Sequence, residues 1–201
     1  MILENKLGIT DQIELSKEEE RLSNIAAKEL FDNGKLDKLE PGTFESLRII
    51  HKTLFDKVYA FAGEIRKENI AKGNFRFAPV LYLEDSIKKI EKMPQTTFDE
   101  IIEKYVEMNV AHPFREGNGR STRIWLDVIL KKQLKKAVDW SKVDKDKYLN
   151  VMVNSPVDDR EIKELLKSAL TDKISDREIY MKGIDHSYFY EGYKEYRTEE
   201  L

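Results

Sequence analysis

Apolar residues recur every three or four positions along most of the chain, the period of helices with one buried face. This spacing predicts a first helix over Leu15–Phe31, closed by Asn33-Gly34. Thr43 caps a second that runs through "FESLRIIHKTLFDKVYAF" to Gly63. Glu84–Lys92 and Thr97–Ala111 follow, the latter with Phe98, Ile101, Ile102, Tyr105 and Met108 on one face. Further helices are predicted over Asn118–Lys136, Asp144–Val153, Asp158–Leu170 and Ser175–Tyr190.

One stretch breaks the period. "ENIAKGNFRFAPV", Glu68 to Val80, alternates polar and apolar residues around Gly73-Asn74 and reads as a short β-hairpin. An isolated hairpin is marginal in water, so it must lie on the helices or await a partner strand. The fold class is therefore all-α with a small β-hairpin. A weak boundary falls in "NSPVDD", which divides the chain into residues 1–42, a body over 43–155 with its hairpin at 67–80, and C-terminal helices over 156–201.

Composition narrows the function classes. With 35 basic and 38 acidic residues among 201, a net charge of −3, the chain has no electrostatic footprint for nucleic acid or an anionic membrane. No stretch approaches a membrane span, and "MILENKLGITDQIEL" has neither a basic flank nor a long apolar run, which predicts a soluble, cytoplasmic protein. There is no cysteine, which excludes disulfides, thiolate metal sites and a cysteine nucleophile.

The chemistry concentrates in "HPFREGNGRSTR", His112 to Arg123. Pro113 ends the preceding helix and leaves His112 at the lip of a loop. Gly117 and Gly119 flank the start of the next helix, where free N–H groups and the positive dipole end attract anions. Arg120 and Arg123 project three residues apart from its first turn, and two guanidinium forks beside an amide nest suit a polyphosphate. Glu116 is a single carboxylate, enough for magnesium that takes its other ligands from phosphate and water. His112 has the pKa for general-base work near neutral pH. Singly, each element is an ordinary turn or a solvated face; together they read as a magnesium–nucleotide site with a histidine base. No lysine follows the glycines, so this is not a Walker loop.

These residues fill every fixed position of HPFx(D/E)GNGRxxR, and with "FAGEIRK" ahead of the hairpin the chain resembles the Fic family from about Thr43 to Glu191. The resemblance implies a Fic-type helical domain that transfers AMP from ATP to a hydroxyl of a target protein. It implies His112 as the base, Glu116 as the Mg²⁺ ligand, and Gly117, Asn118 and Gly119 as the phosphate cradle. Arg120 would face the leaving pyrophosphate and Arg123 the γ-phosphate, with Tyr148 and Asn150 near adenine. The hairpin would be the flap, with Lys72, Gly73, Asn74 and Phe75 docking the target segment by strand pairing.

Near the C-terminus, Ser187, Glu191 and Gly192 resemble the (S/T)xxxE(G/N) inhibitory motif of the Fic subclass that carries it on a last helix, here about residues 184–192. Ser187 and Glu191 share a helix face, and a glutamate there would pair with Arg123 and block the γ-phosphate position. Tyr188, Tyr190, Tyr193 and Tyr196 read as anchors of that helix, and the hydroxyls of Tyr188, Tyr190 and Tyr193 also as targets of self-modification. His51 reads as packed, and His186 has no constellation beside it. Three alternatives stay open: transfer of another phosphate-containing group, removal of AMP through Glu191, and nucleotide binding without turnover. Homo-oligomerisation stays open as well.

Overall fold

The computed structural model describes residues 2–73 and 75–201. Eight α-helices carry the fold among them: α1 (Gln12–Asp32), α2 (Phe44–Phe55), α3 (Val80–Glu91), α4 (Phe98–Ala111), α5 (Asn118–Leu134), α6 (Lys145–Asn154), α7 (Arg160–Ser168) and α8 (Arg177–Tyr190). Capping sets their starts. Asp11, Thr43, Asp144 and Asp176 each accept a backbone N–H of the first turn, and Thr97 with Glu100 forms a reciprocal capping box. No helix among the described residues is long and apolar enough to cross a membrane.

Helix α5 is the hub. Its residues Ile124, Trp125, Leu126, Ile129 and Leu130 are almost completely buried, and α2, α4 and α8 all pack on it. Helix α1 lies across α2 and meets α8. The hydrophobic core runs through all of these elements.

Two departures from the periodic pattern matter. Helix α2 ends at Phe55, not at Gly63, although Val58, Tyr59 and Ala62 continue its apolar spacing and are buried. The chain instead folds back in successive turns, so that Gly63 donates its N–H to Nδ1 of His51 at 2.9 Å. A straight helix would set those residues about 18 Å apart. The predicted hairpin forms, but as two short antiparallel strands, β1 (Ala71–Lys72) and β2 (Phe75–Arg76), in the register Ala71↔Arg76 and Lys72↔Phe75. Asn74 lies outside the described residues. A second ribbon, β3 (Ala137–Val138) with β4 (Leu170–Thr171), has no alternation to announce it. Leu170 therefore belongs to a strand, and the preceding helix stops at Ser168.

Arg66 joins the hairpin to the helical body. It is buried, and its guanidinium donates to the carbonyls of His112 (2.7 Å), Glu68 (2.7 Å), Ala78 (2.5 Å) and Ala111 (3.1 Å). Two of those carbonyls close the C-terminus of α4, where a cation is favoured by the helix dipole.

Candidate functional site

The α4–α5 loop holds the motif. His112 follows α4 in the left-handed region (φ 49°), a strained position for a side-chain-bearing residue that Arg66 and the Pro113 carbonyl, bonded to the N–H of Arg66, hold in place. Its ring stacks on Phe77 at 3.6 Å between centroids, and Nδ1 lies 3.2 Å from the carbonyl of Asn109. With the proton on Nδ1 donating to that carbonyl, Nε2 keeps its lone pair free. Burial pushes the imidazole pKa down to about 4, against the Asn109 carbonyl and Glu191, so the ring is neutral at pH 7.

The loop is fixed from inside. Asn118 is buried and spends its whole amide on Phe114, with Oδ1 accepting the N–H and Nδ2 donating to the carbonyl, both at 2.8 Å. His51 is packed, as the pattern of its neighbours predicts, and its Nε2 bonds the carbonyl of Glu116 at 2.8 Å. Gly117 begins α5 with φ 77°, and a β-carbon there would come within 2.3 Å of the Phe55 ring. The first backbone N–H groups of α5, which have no partner within the helix, follow directly from this fixed loop.

Glu191 lies beside that turn. It caps the end of α8, and its Oε1 accepts from Nη2 of Arg123 at 2.9 Å; a β-carbon on Gly119 would meet the same oxygen at 2.4 Å. The carboxylate thus rests on the first turn of α5, where an anion is favoured. Oε2 lies 3.4 Å from Nζ of Lys72 on the hairpin. Burial would raise the pKa of this carboxyl, but Arg123 and Lys72 hold it down at about 2. Ser187 secures the other edge of Arg123, with Oγ accepting from Nε at 2.7 Å and its carbonyl from Nη2 at 2.9 Å. Gly192, at φ 93°, reverses the chain, and its N–H and that of Tyr193 close α8 on Phe189 and Tyr188.

Around these residues lies a cleft of about 570 Å³, lined by Lys72, Phe75 and Phe77 of the hairpin segment, by His112 and the stretch from Arg115 to Arg120, and by Tyr148, Leu149 and Met152 of α6. Tyr148 gives the cleft an aromatic wall, stacked on Tyr190 at 5.0 Å, while its hydroxyl pairs inward with Tyr105. Asn150 is exposed and is not part of the lining; the helical period turns it away and brings Leu149, Met152 and Val153 instead. Arg120 is also differently disposed from a free phosphate ligand: it is buried, bonded to Glu19 and 3.3 Å from Glu116. Glu116 itself is about half exposed at the cleft (45%). Among the described residues there is no group of three or more metal-ligating side chains, so a cation at Glu116 would draw its other ligands from nucleotide and water. Sequence reasoning missed Glu19 and the clamp role of Arg66. Arg66 sits in the quoted "FAGEIRK", but nothing in the local pattern of Glu19 marks it.

Together these features define a helical domain built around a helix start suited to a polyphosphate, with a histidine beside it. A model of the Fic/DOC family matches residues 41–130. A probable protein adenylyltransferase of Sinorhizobium fredii is 30% identical over 166 residues, 77% of this chain and 83% of the relative. The protein adenylyltransferase VbhT of Bartonella schoenbuchensis is 30% identical over 167 residues, but these make up 34% of that longer protein. The crystal structure of the BepC effector of Bartonella tribocorum with bound AMPPNP superposes with a TM-score of 0.68 over 85% of this chain and 93% of that one, at 20% identity. The chain belongs to the Fic family.

Proposed function

We propose that this protein transfers AMP from ATP to a hydroxyl of a target protein and restrains itself through Glu191. The observation that carries the reading is the placement of one carboxylate, Glu191, on the anion-binding first turn of α5 and on Arg123, beside a neutral His112 with a free Nε2. The relatives' names as adenylyltransferases supply the choice of AMP as the transferred group.

His112 takes the proton of the acceptor hydroxyl as its oxygen forms the new bond to the α-phosphorus. The bond from that phosphorus to the bridging oxygen breaks, and pyrophosphate leaves in line. Such a transfer needs positioning and charge stabilisation more than covalent chemistry. The α5 amides and Arg123 supply the positive field, with Nη2 of Arg120 beside Glu116. Glu116 fits a magnesium ion that takes one carboxylate and phosphate oxygens, and such an ion would neutralise charge on the phosphates. The target segment would pair along β1–β2, with Lys72, Gly73 and Phe75 nearest to it. ATP as donor accords with a cytoplasmic location.

In the docked state Tyr188 is buried, the Tyr190 hydroxyl donates to the carbonyls of Trp140 and Val143, and that of Tyr193 donates to Glu19. Self-modification of these tyrosines would therefore follow release of α8. Glu191, ion-paired and strongly acidic, is here a plug rather than a base for AMP removal.

The test is incubation of the protein and its Glu191→Gly variant with α-labelled ATP, UTP, GTP or CTP, magnesium and a cell lysate. Labelled protein bands from α-labelled ATP, stronger with the variant, are expected. Transfer of γ-label without α-label would make the enzyme a kinase and overturn the reading.

A further inference from the structure

The family match spans residues 41–130, and two segments outside it converge on Arg120. From α1, Glu19 is 2% exposed and accepts from Nη1 of Arg120, from the hydroxyl of Tyr59, and from that of Tyr193 at 2.8 Å. From the C-terminal segment, Tyr193 lays its ring 4.8 Å from the guanidinium carbon, with Phe55 at 4.7 Å and Tyr188 at 5.2 Å. The other fork nitrogen, Nη2, reaches Oε1 of Glu116 at 3.3 Å. Arg120 is thus held between two carboxylates, one sealed in the core and one open to the cleft.

A buried guanidinium requires a counter-charge, and the sealed carboxylate is the one that cannot satisfy itself with water. Glu19 therefore takes the close pair, and Glu116 is left with the longer, partly solvated contact. Were Glu19 neutral, Glu116 would be the one carboxylate left at ion-pair distance from Arg120 among the described residues. An arginine and a magnesium ion would then compete for one carboxylate.

We propose that Glu19 is a positioning residue for the reaction: by neutralising Arg120 it leaves Glu116 free to hold magnesium, and the Tyr59 and Tyr193 hydroxyls fix its orientation. This rests on the reading of Glu116 as the magnesium carboxylate. Because Tyr193 follows α8 directly, the same contact ties the C-terminal segment to the metal side of the site.

The experiment is calorimetric binding of ADP across a magnesium titration, using the full chain. Glu19→Gln should raise the magnesium concentration needed for half-maximal ADP binding about tenfold, the weight of one charge-assisted contact. Glu19→Asp should recover part of the difference. Tyr193→Phe keeps the ring on Arg120 and removes one hydrogen bond, so it should give a two- to threefold rise, and it serves where Glu19→Gln does not fold. In a Glu191→Gly background, transfer by the Glu19→Gln protein should return to within about threefold when magnesium is saturating. In a Glu116→Ala background, Glu19→Gln should cause no further change in magnesium requirement, because the two act through one group. A folded Glu19→Gln protein with an unchanged requirement, or an effect that persists without Glu116, overturns the proposal. If Glu116→Ala itself leaves the requirement unchanged, the metal reading of Glu116 fails and this inference falls with it; if only Glu19→Gln is silent, the metal reading stands.

Discussion

At the scale of single residues, the proposed function gives His112 and Arg123 separable roles. His112 touches no phosphate-binding group, so His112→Ala should leave ADP affinity within a few-fold and reduce transfer by about 10²–10⁴-fold, the usual contribution of a general base. Transfer at the parental rate from α-labelled ATP would remove His112 from the mechanism. On the proposed reading Arg123 instead is shared between brake and substrate. Its pair with Glu191 is charge-assisted and shielded, and such a bond contributes about 1.5–3 kcal/mol, a bias of roughly 10–100-fold toward the plugged state. Glu191→Gly should therefore raise adenylylation at least tenfold, and Glu191→Gln, which keeps size without charge, should relieve it partly. Arg123→Ala breaks the same pair but deletes a phosphate ligand, so it should not activate. Equal rates for the parent, Glu191→Gly and Arg123→Ala would show that the contact does not govern turnover.

At the scale of elements, the backbone of the motif sets what each position tolerates. Gly117→Ala would force a β-carbon to within 2.3 Å of Phe55 at a left-handed φ of 77°, whereas Gly73, at φ 59°, has open space around it. Overpacking and backbone strain together predict a loss of about 2–4 kcal/mol for Gly117→Ala, against about 1 kcal/mol of backbone cost for Gly73→Ala. Urea unfolding of both variants checks the ordering, and a Gly117→Ala protein as stable as Gly73→Ala would contradict it. The sequence showed the helices and the α4–α5 site clearly, because apolar period, caps and the Gly-Asn-Gly turn are local signals. It concealed what depends on distant partners. The end of α2 was hidden because Phe55, Val58, Tyr59 and Ala62 keep helical spacing through a fold-back that only the His51–Gly63 contact reveals. Glu19 was hidden because its meaning depends on Arg120, 101 positions away. Asn150 lies outside the cleft lining although its neighbour Leu149 is in it, because one residue along a helix rotates a side chain by about 100°.

At the scale of the whole molecule, α5 anchors groups whose protonation differs between the folded and unfolded chain, and their sum sets the response to acid. Burial holds His51 at about 3 and His112 at about 4, both well below the ordinary 6.5. As pH falls below 6.5 the unfolded chain takes up these two protons first, so their contribution to stability, complete above 6.5, is lost on the way down. Asp127 opposes them. It accepts from the Val138 N–H and Trp140 Nε1, each at 2.8 Å, yet desolvation pushes its pKa up to about 7 from 3.8. Between those values the folded state holds the extra proton, so this group favours folding as pH falls from 7 toward 3.8. Near pH 5 the balance is about two protons against one, a net excess of about one in the unfolded state. These three groups then lower stability by about 1.4 kcal/mol per pH unit between pH 6 and 5, and buried Glu20, whose carboxyl desolvation also pushes up, acts with Asp127 against that slope. That window lies above the range from pH 4.5 down to about 2, over which the unfolded chain protonates Glu191 first and the contribution of its ion pair to stability is lost. Asp127→Asn removes the opposing group, so its slope should steepen toward two protons, whatever the substitution costs at neutral pH. Urea-unfolding free energies of both proteins at pH 6.0, 5.5 and 5.0 give the two slopes directly. Parallel slopes would mean that Asp127 is ionised in the folded protein, and stability rising on acidification would mean that the two histidines are not held neutral.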